Sequence, residues 1–480
     1  MDTEANILDQ VIAFLGDQDA DAYLVGGLVR DQLLQRQVKR DIDLAIDGDA
    51  SELARAFADA HGGAFYLMDA EHNVARVILR NTYIDFAALR GDVRSDLATR
   101  DFTINAMARQ LGSDELIDPF HGQRDLREKQ IRAVSSTVFQ DDPVRLLRAL
   151  RLIGELGFAL EPRTEDLLRG DAPLLAFASM ERARDELCKI LAQEHPVALL
   201  RQADDLGILG ALLPELNALK NVTQSPPHVY DVFEHTLHVV DELVEVQARG
   251  YADVANGEFT SEIQSHFART VSADRTRGAL LRLAALLHDI AKPATRSVDD
   301  AGNVHFYDHE PRGAETSGAI LRRLRFSNDE IGLVTRTVAN HLRPLLLTRE
   351  ASVTNRAAYR FFRDAGDAGI DVCILALADQ RGKTVSQIDQ AMDAQVRAVL
   401  AVLLDRYFRA PESVVAPPVL IDGRALMREL NIDAGPRVGE LLEVVREAQA
   451  AGDVKTREDA LAFARKTIAT EHTEVTEKKS

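Results

Sequence analysis

The stretch Leu24–Leu44, LVGGLVRDQLLQRQVKRDIDL, constrains this chain more than any other. It sets an apolar run, a diglycine, a basic helical segment and two closely spaced aspartates in a fixed order. Side chains of a strand alternate between faces, so Asp41 and Asp43 share one face while Ile42 and Leu44 point into the core. Two carboxylates on one face make a clamp for divalent metal. The run Tyr23-Leu24-Val25 reads as a short strand, and the bare backbone N–H groups of Gly26-Gly27 can approach a triphosphate closely. Arg30, one turn into the next helix, is placed to neutralise phosphate charge. Two Mg²⁺ ions roughly 3.5–4 Å apart on the aspartates would activate an attacking hydroxyl and stabilise departing pyrophosphate.

A chain of 480 residues with 46% hydrophobic content buries several cores, and its length predicts about three domains. No apolar run approaches the ~20 residues that span a bilayer, and the acidic start MDTEANILDQ is unlike a signal peptide. The expectation is a cytoplasmic protein with no membrane partner. The two cysteines, Cys188 and Cys373, sit in apolar helical contexts and read as core thiols, not as a disulfide framework. A net charge of -19 disfavours indiscriminate binding to nucleic acid. Basic residues nevertheless concentrate at 123–129 and in the series Arg145, Arg148, Arg151, so a bound RNA would follow a restricted track, and no DNA partner is expected.

Strand and helix signals alternate up to about residue 130, and from about Ser136 apolar residues recur at helical spacing. The predicted class is α+β, a small sheet-based head followed by all-α domains. The head spans 1–130 and contains strands at Tyr23, Asp41, Ala75–Leu79 and Thr82–Ala87, with helices at Val29–Leu34 and Ala50–His61. A helical, RNA-binding neck spans 131–222, a histidine-rich metal-binding domain 223–410, and a C-terminal helical region 411–468. Proline-rich breaks at 224–227 and 410–418 separate the helical parts. The polar residues 469–480 are expected to be a disordered tail.

A second block, Thr99–Ala108, begins polar and is expected to become a helix. Its Arg100, Asp101 and Asn105 suit a ribose and triphosphate, with Asp101 accepting from a ribose hydroxyl and so selecting ribonucleotides. The alternative for Asp101 is a helix N-cap. Asp85 is a candidate third catalytic carboxylate, or an ordinary polar strand residue. In the third block, Pro143 favours the first helical position, which makes Asp142 an N-cap and sets it beside Arg145. A carboxylate next to a guanidinium accepts from the exocyclic amine that C and A share, while the arginine donates to the neighbouring ring nitrogen. Uracil and guanine oppose an acceptor to that carboxylate and are rejected. On spacing alone, a salt bridge inside a helix start is the stronger reading of the pair. Arg148, one turn further on, joins the nucleotide-binding set.

Together, LVGGLVRD, RDIDL, RDFTINAMA, LIDPFHGQRDL, DPVRLLRALR and ERARDELCKIL resemble the class II tRNA nucleotidyltransferase and bacterial poly(A) polymerase family, within the polymerase-β-like nucleotidyltransferase superfamily. The resemblance implies a head that holds Mg²⁺, a neck that reads the incoming base, and helical domains that hold the tRNA acceptor arm. It implies catalytic metal ligands at Asp41 and Asp43, and triphosphate contacts at Gly26, Gly27 and Arg30. Arg100, Asp101 and Asn105 would meet ribose and phosphates, Asp142 and Arg145 the base of CTP or ATP, and 181–189 would brace the neck. Two departures stand out. Asp141 replaces the family's glutamate, and the segment before Arg100 is shorter than the loop associated with switching from C to A addition. That leaves CC-adding specificity open.

His235, His288-Asp289, His309, His341 and Asp379 lie on separate helical segments, and together could hold a metal. His238 reads as a hydrogen-bonded core residue. Over about 228–380 the set resembles the HD metal-dependent phosphohydrolase superfamily. The resemblance implies His235, His288, Asp289 and Asp379 on a primary divalent metal, with His309 and His341 as ligands of a second. The implied activity is C and/or A addition to the 3′ end of tRNA, with possible phosphohydrolase activity in the HD domain. The rivals are a CC-adding or A-adding partial enzyme, a poly(A) polymerase, and an HD phosphohydrolase using the head as an RNA-binding module.

Overall fold

Period-two alternation in three neighbouring segments builds the sheet that carries the carboxylates. In the computed structural model, which describes residues 4–18, 21–36, 41–113, 115–383 and 389–477, the chain divides into two units. The first comprises residues 1–186 and 199–212, the second 187–198 and 213–480.

The first unit begins α1 (Glu4–Asp17), β1 (Ala22–Val25), α2 (Gly27–Leu33), β2 (Asp41–Ile46), α3 (Ala50–His61), β3 (Ala64–Asp69), β4 (Val74–Leu79), β5 (Thr82–Ala88) and α4 (Val93–Ala98). Strands β6 (Ala108–Gln110) and β7 (Leu116–Ile117) complete a sheet of order β3-β4-β5-β2-β1-β6-β7. Strand β2 runs parallel to β5, with Asp41 opposite Tyr83 and Asp43 opposite Asp85. Helix α3, N-capped by Asp49 and closed by left-handed Gly62, covers one face of this sheet. Ile42, Leu44, Val77, Ile84, Phe86 and Phe57 are buried, with the Phe57 and Phe86 rings 5.9 Å apart. Alternation therefore delivers Asp41, Asp43 and Asp85 to the opposite face.

The structure departs from the sequence expectation at two places. Strand β3 was not foreseen, because as an edge strand it leaves Tyr66, Leu67 and Met68 half exposed and shows no alternation. The block after Arg100 forms a 3-10 turn at Thr103–Asn105 and then enters β6, where an α-helix was expected. Its donors are already spent. Phe102 N–H donates to the Asp101 carboxylate, Thr103 N–H to the Arg132 carbonyl, and Ala108 pairs with Val25.

Helix α5 (Gly122–Glu128) leads into helices α6 (Val138–Asp141), α7 (Arg145–Leu156), α8 (Pro162–Asp171) and α9 (Met180–Leu191). Asp142 is not the N-cap of α7. That position falls to Val144, although the Asp142 carboxylate accepts the Val144 N–H at 3.3 Å.

The second unit is mainly helical, with short strand pairs at 270–276 and 296–306. Its central helix Gly369–Arg381 is buried along its whole length. Helices Val232–Ala248, Arg277–Leu287, His309–Arg323 and Asn328–Asn340 belong to the same unit. Farther on, Gly423–Leu430, Pro436–Ala451 and Arg457–Glu477 share a separate core that includes Leu426, Leu441, Val445 and Ala460. The last helix continues through Glu477, so residues 469–477 are helical where a structureless tail was expected. No proline or glycine interrupts them. Residues 478–480 of that expected tail lie outside the described residues. Cys188 and Cys373 are both buried, and neither forms a disulfide. Among the described residues, no helix is long and apolar enough to cross a membrane.

Candidate active site and metal centre

At the end of β1, Gly26 adopts φ +74°, and a β-carbon there would lie 3.0 Å from Arg100 Nη1 and 3.3 Å from Asp43 Oδ2. The turn thus brings backbone, Asp43 and Arg100 to one point. Burial, with Asp85 and Asp41 adding like charge, pushes the Asp43 carboxyl up to about 6 despite Arg100 and Arg148 nearby. Crowded carboxylates of this kind suit a divalent cation, whose charge would relieve the repulsion. Asp85 faces the same side but is held by Arg76 in a two-bond pair, both bonds 2.7 Å.

Arg30 is buried and donates to Asn105 Oδ1 at 2.8 Å and to Asp31 at 2.9 Å. Asn105 in turn donates to Asp101 at 3.0 Å, and Arg148 reaches Asp101 at 3.1 Å. Burial alone would raise the Asp101 pKa. Arg148, Asn105 and the Phe102 N–H outweigh it and hold the carboxyl below its usual range. One continuous network thus joins Arg30, Asn105, Asp101 and Arg148.

Asp142 and Arg145 lie side by side, 3.7 Å apart, and Arg145 also donates to the Thr99 carbonyl at 2.7 Å. Arg182 on α9 grips Asp142 through two bonds of 3.1 and 2.6 Å. Glu186, one turn on, meets Arg151 at 2.7 Å and Arg148 at 3.6 Å. Sequence reasoning assigned the α9 motif only to bracing. The spacing of Arg182 and Glu186, four residues apart on one helix face, was the available signal. Arg76 was missed as well, since nothing local to it announces a partner across the sheet.

In the second unit, every histidine and aspartate singled out for metal converges. His235 Nε2 is 3.1 Å from Asp379 and 3.5 Å from Asp289. Asp289 lies 3.1 Å from His288, 3.4 Å from His309 and 3.8 Å from His341. His235, His288, His309 and His341 each donate Nδ1–H to a backbone carbonyl, those of Gly382, Ala285, Phe306 and Val338. The four Nε2 atoms and Asp289 Oδ1 are buried without a hydrogen-bond partner. Buried imidazoles oriented through Nδ1, with lone pairs converging on carboxylates, are the donor set of a metal centre. Burial lowers His235 and pushes His341 down to about 3, keeping both neutral. Burial would raise the pKa values of Asp289 and Asp379, but the electrostatic pull of basic neighbours, chiefly His288 for Asp289 and Lys383 for Asp379, holds both well below the carboxylate range. Lys292, 2.6 Å from Asp289, was missed. His238 stands apart, stacked on Tyr230 at 4.2 Å.

Family models match in chain order. The poly A polymerase head domain covers 22–132, a model described as "Probable RNA and SrmB- binding site of polymerase A" covers 157–220, and the HD domain covers 232–381. An A-adding tRNA nucleotidyltransferase of Deinococcus radiodurans is 35% identical over 92% of this chain and 94% of its own. A CC-adding tRNA nucleotidyltransferase of Thermus thermophilus is 30% identical over 92% and 93%. The Thermotoga maritima CCA-adding enzyme complexed with tRNA shares the fold, with a TM-score of 0.59 and 23% identity over 97% of this chain and 96% of that one. The head is a nucleotidyltransferase domain followed by helical domains, one of them an HD domain. The chain belongs to the class II tRNA nucleotidyltransferase family and is an enzyme of that type.

Proposed function

We propose that this enzyme adds C and/or A from CTP and ATP to the 3′ end of tRNA in the cytoplasm, releasing pyrophosphate. The observation that carries the reading is the meeting of Asp43, Gly26 and Arg100 at one point, with Asp41 and Asp85 on the same sheet face. Asp41 and Asp43 would hold Mg²⁺, which supplies charge stabilisation to the attacking and leaving oxygens when bound. The Gly26-Gly27 backbone, Arg30 and Arg100 bind the triphosphate and orient the α-phosphorus. The 3′-hydroxyl of the RNA gives up its proton to solvent, and its oxygen bonds to that phosphorus as the bond to the β-phosphate bridging oxygen breaks and pyrophosphate leaves with that oxygen. Asp101 accepts from the ribose hydroxyl. Asp142 accepts from the exocyclic amine of C or A while Arg145 donates to the ring nitrogen, so U and G leave the carboxylate facing an acceptor.

One observation favours a restricted product. Leu97, with Leu89 and Val93 against it, packs on Val25, Ala45 and Ala106, and Asp92 caps α4. The segment before Arg100 is thus a packed helix in place of a long loop, which supports addition of C without the switch to A. Purified protein given tRNAs ending before C, after C and after CC, with CTP and ATP singly and together, tests both readings. Extension by C, A or CCA supports the assignment, and the product length fixes its range. Failure on every tRNA, or open-ended A addition, sinks it.

The HD centre is proposed to bind a divalent metal and to hydrolyse phosphoesters at RNA ends. Its partnerless Nε2 atoms support this reading.

A further inference from the structure

The catalytic carboxylates lie between two different neighbourhoods. On the β1 side stand the groups suited to phosphate, namely Gly26, Arg30 and Arg100. In an in-line displacement the attacking and leaving oxygens lie on opposite sides of the phosphorus. With the triphosphate on the β1 side, the attacking 3′-hydroxyl arrives from the β5 side.

The open sheet face on that side is aromatic. In register, one row across the strands reads Tyr66, Arg76, Asp85, Asp43, and the next reads Ala64, Ile78, Tyr83, Asp41. Tyr83 is 41% exposed directly beside Asp41, and Tyr66 is 50% exposed at the edge strand. Strands lie about 4.8 Å apart, so Tyr83 stands about one strand from the carboxylates and Tyr66 about three, on the order of 14 Å. Arg76, locked to Asp85, has its guanidinium 5.2 Å from the centre of the Tyr83 ring and fixes one side of it. Large rings left half exposed next to a catalytic clamp contribute little to the core, because α3 covers the other face.

We infer that Tyr83 and Tyr66 form a stacking platform for the last bases of the single-stranded RNA acceptor. Unpaired bases bind by stacking on aromatic rings, a mode that tolerates sequence and so suits an end whose terminal base changes as it grows. The carboxylates on this face repel phosphate, so the strand presents its bases to the sheet and its backbone to solvent. Tyr83 takes the terminal base and sets its 3′-hydroxyl over Asp41 and Asp43, while Tyr66 takes an earlier base. This inference rests on the RNA-extending reading above.

The test compares Tyr83→Ala, Tyr66→Ala and the double variant with the full-length enzyme in steady-state extension. Expected is a KM for tRNA raised about 5- to 20-fold for each ring, the lower part of the stacking range, with the KM for CTP or ATP unchanged. Tyr83→Phe and Tyr83→Trp restore the tRNA KM. A tRNA carrying 2-aminopurine as its last base is quenched on binding the wild type and not on binding Tyr83→Ala. An unchanged tRNA KM with retained quenching overturns the platform, as does an equal rise in both KM values. A wild type that extends no RNA instead overturns the reading on which the platform rests, so the two failures are distinct.

Discussion

Asp43 carries the sharpest conflict between stability and chemistry in the first unit. Its carboxyl is pushed up to about 6 mainly by burial, so the metal-free folded protein binds that proton more tightly than the unfolded chain does. Above about pH 6 the ionised group therefore costs stability, and the cost fades as pH falls toward the ordinary carboxylate range. Asp43→Asn should stabilise the metal-free protein at pH 7–8 by on the order of 1–3 kcal/mol, seen as a higher melting temperature, while abolishing nucleotide incorporation. The gain should vanish near pH 4, and thermal melts across that range check it. Arg182 makes the opposite contribution, holding Asp142 in one orientation. Arg182→Ala should lower kcat/KM for CTP and ATP about tenfold and narrow their advantage over UTP. Arg182→Lys should recover only part of this, since an ammonium cannot make the forked contact. Competition assays with paired nucleotides would show it.

At the scale of elements, the turn between β1 and α2 is the least forgiving. Gly26→Ala would place a β-carbon 3.0 Å from Arg100 Nη1 at a backbone angle that L-residues disfavour. We expect kcat to fall at least tenfold with about 1–3 kcal/mol of destabilisation, measured by single-turnover incorporation and denaturant melts. The strands that carry the clamp were legible because Ile42, Leu44, Ile84 and Phe86 alternate with carboxylates and polar residues. What escaped was what depends on distant partners. The turn at Thr103–Asn105 is dictated by Arg132 and Asp101, and edge strand β3 by β4, with nothing in either local sequence to announce it. Likewise, Asp41 and Asp43 announce their shared face by spacing, whereas the Arg76–Asp85 pair exists only once β4 and β5 are aligned.

For the molecule as a whole, the carboxylate clamp and the histidine centre lie in separate units. His288→Ala with Asp289→Ala should remove any phosphohydrolase activity and the melting-temperature rise caused by added divalent metal. Nucleotide addition should stay within twofold. Parallel assays of both activities, with calorimetry in chelator and in metal, provide the check.

Arg148 binds Asp101 with one part of its guanidinium and approaches Glu186 with another, and it is also the third residue after Arg145 on α7. With Asp101 at the sugar and Asp142–Arg145 at the base, as proposed, both recognition elements would share the helix that carries Arg148. Fidelity is then a collective property, because a base that displaces α7 also loosens the grip on the ribose. The penalties for wrong sugar and wrong base should not add. Incorporation of dUTP should exceed the product of the separate relative rates for dCTP and UTP, because the second mismatch meets a site the first has already disturbed.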